Sequence, residues 1–310
     1  MKRKAVWCAL LVAGSMLAGC GNTAGQAGPR LYPFDSAVYF DAKEQTSLDA
    51  AQEAAVQQCM RQRGFTYHTA RAALAQPAEP DNPYGLLSKH AAGKDGYSIT
   101  SRLMSGRLHT SSGDGAPAKE PSGNAGNAHT TRAWDDALLG TRSSARVLRL
   151  PYGDEVTIAV DGCVAQSRRE VFGADWDDVY YLFQELSNQV IERTNAAPGV
   201  RAALHVWSRC MAQAGHSGVS SPYDAEAAVT KRVQSAGRTA AAVRAAARDE
   251  LGTAVQDAAC QQQARLRPAF TTAEQQAEKE IGGRYSGQLA RLRTMRSRAL
   301  DNASSGSSPS

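Results

Sequence analysis

Asp175-Trp176-Asp177-Asp178 is the strongest candidate for a chemical site in this chain, since neighbouring carboxylates are the raw material of acid-base hydrolysis or of a calcium contact. Its setting supplies a plainer use. Val179, Leu182, Phe183, Leu186 and Val190 follow at helical spacing, so the run lies at the start of a predicted helix, where each negative charge gains about 0.3–1 kcal/mol from the helix dipole. Capping is therefore the favoured reading, with ligand contact by Asp175, Trp176, Asp177 and Asp178 as the rival. Trp176, Tyr180 and Tyr181 offer faces for a sugar ring or rings for a core, and core packing is favoured. Cys59, Cys163, Cys210 and Cys260 form the second reactive set. No two of them have the short spacing of zinc ligands and no histidine stands beside a partner, so two disulfides are expected. His68, His90, His109, His129, His205 and His216 read as surface or turn residues, because none is paired with another at helical spacing. There is no Gly-x-Ser-x-Gly elbow, His-Glu-x-x-His, phosphate-binding glycine loop or dinucleotide fingerprint. The expectation is a protein that is not an enzyme and uses no cofactor and no metal.

Cys20 is reactive in another way. Met1-Lys2-Arg3-Lys4 is positive, residues 5–17 are apolar, and Leu17-Ala18-Gly19-Cys20 puts small residues before a thiol. The apolar run is too short for the roughly 20 residues of a membrane span and suits a secretory leader. The arrangement resembles a bacterial lipoprotein signal, in which the thiol takes diacylglycerol, the leader is removed and palmitate-type chains hold the protein at the membrane. Residues 1–19 are then a signal peptide and Cys20 the mature N-terminus. Loss of Lys2, Arg3 and Lys4 brings the formal charge from +5 to +2, too little for a nucleic-acid partner. The basic group Arg284, Arg291, Arg293, Arg296 and Arg298 reads as a solvated terminal helix, with anionic lipid or wall polymer as the alternative contact.

The elements that must carry these residues are mostly helices. Abundant alanine and 6 % aromatic residues suit closely packed helices better than a β-sandwich. Residues 20–45 read as tether and entry segment, and 46–63 as a helix with Leu48, Ala51, Ala55 and Cys59 on one face and Gly64 as its stop. A short helix is expected over 84–92, and the Gly, Ser, Asn and Pro of 106–130 predict a disordered central insertion. Residues 134–140 predict one or two helical turns. Two short runs, 145–150 and 155–160, joined by Pro151-Tyr152-Gly153-Asp154, predict a β-hairpin. Asp161 then reads as the cap of a helix reaching Phe172. Further helices are expected over 175–194, from Pro198 to Gly215, over 224–234, over 239–266 with Pro268 ending it, and around Ile281, Tyr285, Leu289 and Leu292, before a disordered tail at 301–310.

Cys59-Met60-Arg61-Gln62-Arg63-Gly64 and Cys210-Met211-Ala212-Gln213-Ala214-Gly215 repeat a Cys-Met-x-x-x-Gly helix end. Four cysteines admit three pairings. The repeat makes Cys59 with Cys163 and Cys210 with Cys260 the simplest, dividing the body into helical halves at 46–195 and 196–300. The fold expected is a mainly α, disulfide-stapled domain with one short β-hairpin. With Leu17-Ala18-Gly19-Cys20, Pro83-Tyr84-Gly85, residues 134–140, Gly162-Cys163, Phe172-Gly173 and Trp207-x-x-Cys210-Met211, the chain resembles a loose group of lipoproteins from high-GC Gram-positive bacteria. That resemblance implies an extracytoplasmic location and supplies no activity. The expectation is a membrane-anchored, non-catalytic envelope lipoprotein whose partners are the membrane, through its lipid, and an envelope protein or cell-wall polymer. The alternative is a wall-directed hydrolase, or a regulator of one, using the carboxylates at 175–178.

Overall fold

The structure is a computed structural model and describes residues 32–69, 83–105, 131–237 and 239–306. Cys20 and the insertion expected at 106–130 lie outside the described residues. Within them the protein is mainly helical, is stapled by two disulfides, and carries one two-stranded antiparallel hairpin.

A single turn, α1 (Pro33–Ser36), leads into α2 (Ala42–Gln62). Helix α2 begins four residues before the expected start. Asp41 accepts from the N–H groups of Lys43 and Glu44 at 2.9 and 2.8 Å, while the Glu44 carboxylate accepts from the Asp41 N–H at 2.9 Å, a reciprocal cap that sets the boundary. Two short helices follow, α3 (Lys89–Asp95) and α4 (Ile99–Met104). The helix expected over 84–92 is thus displaced: Ser88 caps it through the Ala91 N–H at 3.0 Å, and Tyr84 and Leu86 enter the core before it.

Helix α5 (Arg132–Leu139) ends at Gly140 and returns through the hairpin, β1 (Arg146–Arg149) and β2 (Glu155–Ile158). Arg146 faces Ile158 and Arg149 faces Glu155 across it. Helix α6 (Gly162–Phe172) follows Asp161, yet that side chain does not cap it. It turns back to accept from the Thr141 N–H and hydroxyl, both at 3.0 Å, and from the Ser144 hydroxyl. The reason is backbone proximity: at Gly140 and Gly162, both at positive φ, a Cβ would collide with Asp161 and with the Gly140 backbone respectively. Only glycine lets the two segments meet.

The second stretch is α7 (Trp176–Ala196), α8 (Pro198–Gln213), α9 (Pro222–Ser235), α10 (Ala240–Gln263), α11 (Leu266–Gly282) and α12 (Ser286–Gly306). Pro268 does not end α10. The chain breaks at Arg265, held left-handed with φ 55 and ψ 39, and Pro268 sits in the first turn of α11, where its missing N–H would have had no helical partner. Helix α12 also runs through residues 301–306, where a disordered tail was expected, because Ala299 and Ala303 remain buried.

Packing crosses the division expected near residue 196. Phe34 and Leu48 share a core with Phe183, Leu186 and Val190 of α7, Ile281 of α11 and Leu292 and Ala299 of α12. Conversely, Tyr84 and Leu86 pack with Trp207, Met211 and Phe270, and Tyr97 and Ile99 with Val229 and Val233. The halves of the sequence are therefore not halves of the fold, since each lends a segment to the other's interior.

Candidate functional site

The acidic run lies at the start of α7 as expected, with Asp177 and Asp178 in the first turn where the helix dipole favours negative charge, and it lines neither of the two cavities at the Arg265 elbow. The Asp175 side chain makes no capping hydrogen bond. Instead the three carboxylates hold three other elements: Asp175 pairs with Arg291 of α12, Asp177 with Arg168 of α6 at 3.2 Å, and Asp178 with Arg146 of β1 at 2.7 Å. Trp176 is 5 % exposed and stacks on Phe172 at 4.4 Å and on Tyr180 at 5.1 Å, so its faces are used in the core. Of the terminal basic group, Arg293 pairs with Asp35, and Arg296 pairs with Glu44 at 2.7 Å while lying over the Phe40 ring. With Arg291, these three arginines bind α12 to the body.

The four cysteines come together as two disulfides, Cys59 with Cys163 and Cys210 with Cys260, with Cα atoms 5.5 and 5.6 Å apart. The sequence repeat is also a repeat of backbone geometry. Gly64 and Gly215 both have positive φ, and the Phe65 and His216 N–H groups reach back to the Met60 and Met211 carbonyls at 2.9 Å in each copy. That is a Schellman ending, in which the left-handed glycine lets the chain satisfy carbonyls the helix leaves open. A glutamine three residues after the partner cysteine, Gln166 or Gln263, lies 3.4 Å from the sulfur in both copies.

What sequence reasoning missed is a row of buried acids. Asp257 is fully buried and accepts from Trp207 Nε1 at 2.7 Å, from the Tyr97 hydroxyl at 2.9 Å and from Gln261 Nε2 at 3.0 Å. Burial pushes its carboxyl above the ordinary carboxylate range, and these three donors pull it back. Glu250, two turns earlier on α10, accepts from the Ile99 and Thr100 N–H groups at 2.7 and 2.8 Å and so caps α4 from outside. Glu274 on α11 takes the Tyr84 hydroxyl at 2.5 Å, and Gln261 takes the Leu87 N–H at 2.9 Å while giving its amide to the Gly85 carbonyl. Together they hold residues 84–100 against α10 and α11. Their spacing was a usable signal: positions 250, 257 and 261 fall on one helical stripe with buried Ala254 and Ala258, so polar groups stood where an apolar face was expected.

Two cavities open beside this region. One of about 610 Å³ lies between the α7–α8 junction and α11, with Pro198, Val200, Ala203 and Ala273 in its wall and the Arg193–Glu280 pair, 3.4 Å apart, at its edge. The other, about 420 Å³, lies between Leu86, Leu87 and Lys89 and the elbow at Arg265, Arg267 and Pro268. They share Arg265 and Pro268. An arginine in the left-handed region costs about 1–2 kcal/mol relative to helical backbone, and such strain persists where surrounding structure or use demands it. None of Asp175, Trp176, Asp177 and Asp178 lines either cavity. Among the described residues no three His, Cys, Asp or Glu side chains converge as metal ligands, and no helix is long and apolar enough to cross a membrane.

No protein-family model, no curated protein and no solved structure matches the chain. The site therefore rests on its own geometry: a pair of concave surfaces at a strained, cationic elbow, backed by hydrogen-bonded buried acids.

Proposed function

We propose that the protein is an extracytoplasmic lipoprotein, anchored to the cell membrane by acyl chains on Cys20, whose helical body serves a non-catalytic binding or structural role in the envelope. The observation that carries this reading is the coincidence of a positive start, a short apolar run and small residues before Cys20. The two disulfides support it, because such bonds persist in oxidising compartments outside the cytoplasm. Anchoring by two or more chains follows from the roughly 0.8 kcal/mol contributed by each buried methylene, which makes one chain reversible and several durable. The partners that suit such a body are an envelope protein or a cell-wall polymer, and its small mature charge argues against nucleic acid.

A binding role fits the geometry better than hydrolysis. A carboxylate that acts as acid or base needs reach to a substrate, whereas Asp175, Asp177 and Asp178 are each engaged with an arginine of another element. The test is Cys20→Ala in the native host. The parent should carry diacylglycerol mass on its N-terminal peptide and follow the membrane fraction, and the variant should be released or accumulate with its leader. A parent without acyl mass, or a variant fractionating like the parent, would sink the proposal.

A further inference from the structure

The smaller cavity carries three cations in its wall, Lys89, Arg265 and Arg267, and no carboxylate. None of the three makes an ion pair among the described residues, whereas Arg193 on the neighbouring cavity holds Glu280. Leu86, Leu87 and Ala258 supply the apolar part of its lining. Gln261 behind it has spent its amide on Gly85, Asp257 and Leu87, so the cavity floor is fixed in place by the buried network. Arg265 brings its side chain here through a left-handed backbone that glycine adopts freely and arginine does not. The turn alone would favour glycine, and the residue standing there is an arginine.

We propose that this cavity binds a phosphate ester with a small polar head, of the glycerol phosphate class. Two guanidiniums and an ammonium supply the donors that phosphate oxygens take most strongly, and guanidinium engages them in pairs. A space of about 420 Å³ exceeds what a bare phosphate fills and leaves room for a short carbon skeleton against Leu86 and Leu87. Charges of one sign in a concave surface that also carries apolar side chains concentrate anions there. The inference deepens the envelope-binding reading by naming a ligand chemistry, but it does not depend on the lipid anchor. Failure of the cavity to bind leaves acylation of Cys20 untouched, and absence of acylation leaves binding untouched.

The test is calorimetric titration of the full chain, in phosphate-free buffer, with glycerol 1-phosphate, inorganic phosphate and monomeric dihexanoyl phosphatidylglycerol. Glycerol 1-phosphate should bind saturably at one site and weaken with added salt. Arg265→Gly and Arg267→Ala should each raise its Kd by about tenfold, the loss of one charge-assisted contact. Arg265→Gly should melt at or above the parent temperature, because glycine relieves the turn. Tighter binding of the dihexanoyl lipid than of the free ester assigns the site to a lipid headgroup, and the reverse order assigns it to a soluble or polymeric ester. No saturable binding of the three probes, equal binding by parent and both variants, or tighter binding of inorganic phosphate than of either ester overturns the proposal. So does a lower melting temperature for Arg265→Gly with unchanged binding, which would mark the arginine as a structural residue.

Discussion

Three residues before Cys59 stands Val56, and three before Cys163 stands Val160; at the matching places of the second staple stand Trp207 and Asp257. Both staples use the same Schellman ending and place a glutamine near the sulfur, but they close different interiors. Around Cys59 and Cys163 the filling is apolar, with Val56, Met60, Ala137 and Leu138 buried together, and the tight point is the backbone meeting of Gly140 and Gly162. Around Cys210 and Cys260 the filling is apolar too, with Met211, Val219 and Leu266, but it encloses a polar contact in which Trp207 gives its indole N–H to buried Asp257. One staple thus secures a helix pair by close approach. The other supports carboxylates that hold a separate segment in place, and that segment forms one wall of the cationic cavity.

The largest expected effect is loss of the disulfides. Their sequence separations of 104 and 50 residues correspond, by the chain-entropy argument, to about 4.7 and 4 kcal/mol as upper figures. Replacing each pair by alanines and measuring urea unfolding should destabilise the protein in that order. The reverse order would show that the interior enclosing the polar contact depends on its staple more than loop length implies, which breaks the equivalence of the two. Next is the matched pair of substitutions three residues before the second cysteine. Asp257→Ala leaves the buried Trp207 and Tyr97 donors unpaired, takes one of two acceptors from Gln261, and should cost about 3 kcal/mol or more, while Val160→Ala, at an exposed position, should cost less than about 1 kcal/mol. Similar losses at both sites would erase the distinction between the two fillings.

On the first staple's side, Gly140→Ala puts a Cβ against Asp161 and a side chain on a residue with φ +85. A destabilisation of about 2 kcal/mol is expected, read as a lower midpoint in thermal melting, with Gly64→Ala milder because nothing lies within 4 Å of its Cβ. Equal costs at the two glycines would mean that backbone conformation, and not close approach, limits this region.

The smallest effect is a pH dependence of the second region. Burial raises the Glu274 carboxyl to about 7 from an ordinary value of 4.5; the Tyr84 hydroxyl opposes the shift and the Glu278 charge adds to it. Because the folded-state value is the higher one, this group's contribution is complete below about pH 4.5 and is lost as pH rises through about 7. After discounting for screening, the change is of order 1–2 kcal/mol. Glu274→Gln keeps an acceptor for Tyr84 and should flatten the decline across that window. An unchanged slope would place the sensitivity elsewhere in the acid row.

Much of this was legible in the sequence where the cause is local. The period of Val179, Phe183, Leu186 and Val190 marks α7, the Pro151 to Asp154 turn marks the hairpin, and the repeated Cys-Met-x-x-x-Gly ending points to the pairing found. Each depends on residues a few places apart, whose geometry is set by backbone sterics and side-chain period. The candidate site was not legible. Glu250 serves Ile99 from 151 residues away, Gln261 serves Leu87 from 174, and Asp175 is taken by Arg291 across 116. A carboxylate in a sequence does not reveal whether water, an arginine or a distant N–H will satisfy it.

By itself, then, the sequence determined the helical class and the hairpin, and singled out the simplest of three staple pairings, which the structure bears out. Only the tertiary structure decided that the acidic run is spent on ion pairs, that α12 returns to the first core, and that buried acids hold the segment bearing Lys89 beside the elbow of Arg265 and Arg267. The physical reason is that a buried polar group must find a partner wherever packing brings one, and packing brings together segments that the chain order keeps far apart.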